Sequence, residues 1–154
     1  MGIEVGQVVP DLSLKLANGE TRALSDYCGK KVILYFYPKD DTPGCTCEAE
    51  DFRDQHAQVT RQDAVVLGVS RDTVGSHQRF QQKLGLPFEL VSDQDETLCQ
   101  LFDVIKMKTM YGKPVRGIER STFLIDAAGV LRQEWRKVKV EGHVEAVLSA
   151  LGDL

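Results

Sequence analysis

Cys45 and Cys47 lie in the run Tyr37-Pro38-Lys39-Asp40-Asp41-Thr42-Pro43-Gly44-Cys45-Thr46-Cys47, the part of the chain with the clearest chemical content. The apolar segment Val32-Ile33-Leu34-Tyr35-Phe36 before it reads as a buried strand. Glu48 to Val59 after it reads as an amphipathic helix with Ala49, Phe52, His56 and Val59 on one face. Cys45 therefore falls where a strand hands over to a helix N-terminus. Unpaired backbone N–H groups and the positive end of the helix dipole favour a thiolate at such a point, and a thiolate is a nucleophile.

The neighbours suit that chemistry. Pro38 and Pro43 stiffen the turn, and Gly44 lets the backbone approach closely. Thr42, three residues before Cys45, can cap the helix or fold its hydroxyl toward a substrate oxygen or the sulfur. The backbone N–H groups of Gly44 and Cys45 can point at the same spot, where they would stabilise charge building on an oxygen. Tyr37, at the strand end, either lines the floor of the site or packs structurally. Glu48, Glu50 and Asp51 suit a first helical turn but oppose a nearby thiolate, so they are expected to face solvent.

The elements that must position this turn read as follows. Ser13 to Leu16 and Thr21 to Leu24 flank Asn18-Gly19 as a short β-hairpin. Val65–Ser70 and Phe88–Val91 are further strands, and a helix capped by Asp72 carries Phe80 and Leu84 inward before stopping at Gly85. Asp93 and Glu96 form a capping box for a helix bearing Leu98, Leu101 and Phe102. A loop from Lys106 to Gly117 follows, long enough to be functional. Ser121–Asp126 and Val130–Trp135 pair as a second hairpin, and a last helix sets Val144, Val147, Leu148 and Leu151 on one stripe. Strands alternating with helices require crossovers, so the expected fold class is α/β: a central mixed β-sheet flanked by helices, with an N-terminal β-hairpin.

The chain has 154 residues, 42% hydrophobic and 27% charged, and reads as a single domain over 1–154. A net charge of −4 gives no reason to expect nucleic-acid binding. No stretch approaches the roughly 18 apolar residues of a membrane span. The N-terminal residues lack a basic-then-apolar leader, and four cysteines without one read as reduced thiols, so the expected compartment is the cytoplasm.

Pro38-x-x-x-Thr42-x-x-Cys45 resembles the peroxiredoxin active-site signature. The fuller string from Phe36-Tyr37-Pro38 through Thr42-Pro43-Gly44-Cys45-Thr46 resembles the bacterioferritin comigratory protein, or Q-type, branch. The resemblance extends through Leu67-Gly68-Val69-Ser70, Pro87-Phe88, Ser92-Asp93 and Arg120-Ser121-Thr122-Phe123-Leu124-Ile125-Asp126. It implies a thioredoxin-like fold that reduces hydrogen peroxide and organic hydroperoxides without a metal or other cofactor. It implies that Cys45 attacks the O–O bond and becomes a sulfenic acid, that Thr42 orients the peroxide, and that Pro38 shields the sulfenate. Only the resemblance brings in Arg120, as the cation that holds the thiolate and polarises the peroxide. Q-type members are often monomers, which makes a monomer the expectation.

Many Q-type members carry a resolving cysteine five residues after the attacking one, where this chain has Glu50. Others carry it around residues 80–82, here Phe80, Gln81 and Gln82. The expected cycle is therefore a one-cysteine cycle, with thioredoxin, glutaredoxin or glutathione supplying the second thiol. The alternative is an intramolecular disulfide through Cys47, which faces away from Cys45 on a helix, or through Cys99, beside an apolar stripe. Cys28 belongs at the opposite end of the sheet.

Three other functions compete. Metal binding through Cys45, Cys47 and His56 or His77 matches no zinc spacing, and the two histidines read as a helix-face and a surface residue. A disulfide oxidoreductase wants Cys-x-x-Cys, whereas the chain offers Cys-x-Cys. A peroxide sensor that does not turn over shares the same reactive thiol.

Overall fold

A computed structural model describes residues 2–154. Two short strands, β1 (Ser13–Lys15) and β2 (Thr21–Ala23), form the N-terminal antiparallel hairpin, and a 3-10 turn at Leu24–Tyr27 leads to β3 (Lys31–Phe36). Then come α1 (Pro43–Asp54), α2 (His56–Arg61), β4 (Ala64–Ser70), α3 (Val74–Leu84), β5 (Glu89–Ser92) and α4 (Thr97–Leu101). The chain continues with β6 (Ile105–Met110), β7 (Lys113–Ile118), β8 (Ser121–Ile125), β9 (Leu131–Trp135) and α5 (His143–Gly152).

The central sheet runs β5-β4-β3-β8-β9. β3 pairs parallel with β4 and antiparallel with β8, and β9 returns antiparallel on β8, so the sheet is mixed as expected. Both faces of β3 are buried, and its side chains divide with the period of two that a pleated strand imposes. Val32, Leu34 and Phe36 enter one core with Leu98, Cys99, Phe102, Ile118 and Phe123. Ile33, Tyr35 and Tyr37 enter the other with Cys45, Phe52, Phe80, Val144 and Leu151. Helices α1, α2, α3 and α5 contribute to this second core, while α4 and the end of β7 close the first.

Several local expectations change. The helix after Cys45 is broken at Gln55, where ψ of 10° ends α1 and α2 starts afresh. α3 is capped by Thr73, whose side chain accepts from the Ser76 N–H, while Asp72 accepts instead from the Asp40 N–H and the Ser70 hydroxyl. No capping box forms at α4. Glu96 is left-handed at φ 63°, and the Asp93 carboxylate reaches past it to the N–H groups of Leu98 and Cys99.

The expected Lys106–Gly117 loop is the β6–β7 hairpin. Tyr111 and Gly112, with φ of 53° and 76°, make the two-residue turn whose twist suits flanking strands. Among the described residues, no helix is long and apolar enough to cross a membrane.

Candidate active site

β3 delivers the turn 37–42, and α1 starts at Pro43, where a missing N–H costs nothing because first-turn N–H groups lack helical partners anyway. Thr42 is the N-cap residue by backbone, and its carbonyl accepts from the Thr46 N–H at 2.8 Å. Its side chain makes no cap. The hydroxyl donates to the Lys39 carbonyl at 2.8 Å, which leaves the oxygen free to accept.

Cys45 is therefore a first-turn residue, and it is only 1% exposed. Arg120, between β7 and β8, joins it from the neighbouring strand end, one residue before Ser121, which pairs with Phe36 at the end of β3. Nη2 donates to Cys45 Sγ at 3.4 Å, and Nη1 donates to Glu48 Oε1 at 2.7 Å. Gly44 leaves room for this arrangement: a Cβ there would stand 3.0 Å from Arg120 Nη2. Burial works against the guanidinium's charge, but Glu48 and Cys45 more than offset it and raise its pKa.

Glu48 overturns the expected solvated acidic face. It is fully buried, three residues after Cys45 and on the same side of α1. Burial pushes its carboxyl up to about 7 against the pull of Arg120, and Oε2 has no hydrogen-bond partner among the described residues. Glu50 does lie toward the surface, 3.8 Å from Arg53, and Asp51 is half-buried.

The other named residues are placed as follows. Pro38 is half-buried immediately after β3, and Tyr37 is buried with its hydroxyl donating to Asp40 at 2.6 Å. His77 is not a surface residue. It is fully buried, with Nδ1 2.7 Å from Asp40 Oδ2 and Nε2 2.9 Å from the Val91 carbonyl. Asp40, Asp72 and His77 are metal-ligand types gathered in one place, but hydrogen bonds already engage the atoms they would offer. Sequence spacing held a signal for both buried groups: Glu48 precedes Phe52 by four residues, and His77 precedes Phe80 by three.

All four cysteines are free. Cys47 is exposed on α1. Cys99 is in the core on the opposite face of the sheet from Cys45, and burial with Asp93 beside it pushes its thiol far up. Cys28 is exposed beside Ala127, before β3 begins.

The chain as a whole is matched in known proteins. The AhpC/TSA family model matches residues 5–134. The chain belongs to that family and is a peroxiredoxin of the Bcp type. It is 55% identical to peroxiredoxin Bcp of Bacillus subtilis over all of this chain and 98% of that one. Among solved structures, PrxQ of Xylella fastidiosa superposes with a TM-score of 0.94 at 46% identity, covering 99% of this chain and 98% of that one. The Xanthomonas campestris bacterioferritin comigratory protein, studied for alkyl peroxide reduction, superposes with a TM-score of 0.88 at 53% identity, covering 92% and 90%. As a peroxiredoxin the chain is a thiol-dependent peroxidase with a thioredoxin-like fold, acting on peroxides at the expense of a thiol reductant.

Proposed function

We propose that Cys45 carries out the peroxide reduction and that an external thiol completes the cycle. The observation that carries this reading is the Arg120 guanidinium, which donates to Cys45 Sγ and is itself held by buried Glu48. The guanidinium and the first-turn N–H groups of Gly44 and Cys45 favour negative charge at one point. A peroxide entering there donates an O–H hydrogen bond to Thr42 Oγ1, whose own hydrogen is committed to Lys39. The Cys45 thiolate attacks the near oxygen, so that an S–O bond forms as the O–O bond breaks. The leaving oxygen departs as hydroxide or alkoxide, opposite the same positive groups, and takes a proton to give water or an alcohol. Cys45 is left as a sulfenic acid. Pro38 covers it, and a thiolate then attacks the sulfur, forming the S–S bond of a mixed disulfide as the S–O bond breaks and the oxygen leaves as hydroxide, which takes a proton from solvent to become water. A second thiol releases Cys45 by exchange.

An external source of that thiol fits the positions of the other cysteines. Cys99 is separated from Cys45 by the sheet, and Cys47 lies two residues along the same helix. Thioredoxin, glutaredoxin and glutathione are the candidate reductants, with hydrogen peroxide and alkyl hydroperoxides as substrates and a cytoplasmic monomer as the working form. The test is peroxide consumption with each reductant supplied in turn, for the wild type and Cys45→Ser. Turnover lost in Cys45→Ser and kept in Cys47→Ser and Cys99→Ser supports the reading. Loss in Cys47→Ser or Cys99→Ser supports an intramolecular disulfide, and oxidation without turnover supports a sensor.

A further inference from the structure

A second buried polar cluster, unused by the chemistry above, ties down the turn that carries Cys45. His77 Nε2 lies 2.9 Å from the Val91 carbonyl, which can only accept, so Nε2 carries a hydrogen. Nδ1 lies 2.7 Å from Asp40 Oδ2. The same carboxylate meets the Ser76 hydroxyl at 2.8 Å and the Tyr37 hydroxyl at 2.6 Å. Burial, with Tyr35 and Asp40 nearby, pushes the Tyr37 phenol well above its ordinary range, so it stays a donor. His77 Nδ1 also lies 3.4 Å from the Tyr37 hydroxyl, so Tyr37, Ser76 and His77 converge on one carboxylate. The His77 ring and the Asp40 carboxylate are thus joined inside the protein, with both ring nitrogens engaged in hydrogen bonds.

The pair sits where the backbone needs holding. Asp41 is left-handed at φ 60°, an uncommon conformation for a residue with a side chain. The Asp40 N–H donates to Asp72 Oδ2 at 2.9 Å, so both main chain and side chain of this residue are anchored. Four residues separate Asp40 from Cys45.

We propose that His77 is a positioning residue for the peroxide step: a buried ring that, bridging Asp40 and the Val91 carbonyl, fixes the Pro38–Cys45 turn to α3 and β5 and so holds Cys45 Sγ against Arg120. The proposal rests on Cys45 being the attacking atom. It separates the two halves of the cycle. The peroxide step needs the turn held in place, and a misplacement of about 1 Å can cost about 100-fold in rate. The reduction step needs a thiol to reach a sulfur that is 1% exposed, so it gains nothing from a tighter turn.

The test measures the two steps separately on the full chain, with one equivalent of hydrogen peroxide and then dithiothreitol. His77→Phe is expected to form the Cys45 sulfenate about 10- to 100-fold more slowly while its sulfenate is reduced at least as fast as the wild type's. His77→Gln, which keeps one donor, recovers part of the loss, and Ser76→Ala slows the same step by a smaller factor. Nitrogen NMR of the wild type is expected to show a hydrogen on His77 Nε2 held in a hydrogen bond to Val91, and this needs no variant to fold. A His77 Nε2 without that hydrogen, wild-type sulfenate formation in His77→Phe, or equal slowing of both steps overturns the proposal. A wild-type chain that forms no Cys45 sulfenate overturns the peroxidase reading and this proposal with it, and the His77 Nε2 hydrogen bond then shows whether the buried cluster itself stands.

Discussion

Glu48 predicts a pH response of the fold that one substitution isolates. Its carboxyl is raised from an ordinary 4.5 to about 7 because burial outweighs the attraction of Arg120. Between those values the folded chain keeps a proton that the unfolded chain has lost. Its contribution to stability therefore falls as pH rises from 4.5 through 7, with no penalty below and the full penalty above. A shift of this size, at about 1.4 kcal/mol per pH unit, amounts to about 3 kcal/mol. Glu48→Gln keeps the size and an acceptor oxygen for Arg120 but cannot ionise.

The variant should gain about 3 kcal/mol relative to the wild type between about pH 4 and about pH 8. That corresponds to a relative shift in the urea midpoint of about 1–3 M. Urea unfolding of both chains at several pH values, followed through the fluorescence of the single tryptophan, Trp135, measures it. The remaining carboxylates titrate alike in both chains and cancel in the difference. Parallel stability curves across this range would refute a Glu48 buried in ionisable form against Arg120.

Gly44→Ala should fold but slow Cys45 oxidation by about tenfold, since the new Cβ must push Arg120 Nη2 from its 3.0 Å approach; stopped-flow oxidation with hydrogen peroxide checks this. Tyr35 buries a hydroxyl with no hydrogen-bond partner among the described residues. Tyr35→Phe should therefore leave stability unchanged or raise it by about 1 kcal/mol, read from urea midpoints. Arg120→Lys should lower the rate of Cys45 oxidation by about 100-fold without unfolding the chain, because an ammonium cannot hold the sulfur and Glu48 as a fork does.

Much of this architecture was legible in the sequence because hydrophobic period reports burial directly. The apolar run 32–36, the strands read at 65–70 and 88–91 and the hairpin from Ser121 to Trp135 all appear where the pattern placed them. The strand-to-helix turn was legible for the same reason, since Pro43 and Gly44 mark it chemically. Glu48 and His77 were misread because residue type was allowed to outweigh position: both lie on apolar helix stripes, and each is buried through a partner distant in sequence. Arg120 is 75 residues from Cys45, and no local pattern connects them. The β6–β7 hairpin was hidden because the Lys, Gly and Pro residues from Lys106 to Gly117 have the composition of a loop and outweigh the short alternation Ile105-Lys106-Met107-Lys108.

The central claim is that Cys45, held by Arg120, attacks the peroxide and waits for an outside thiol. One equivalent of hydrogen peroxide added to the reduced chain, followed by intact-mass and peptide analysis, tests it most directly. The account predicts a gain of one oxygen atom located on Cys45, removed by added thiol and absent in Cys45→Ser. Oxygen on another cysteine, or loss of two hydrogens with Cys45 bonded to Cys47 or Cys99, would contradict it.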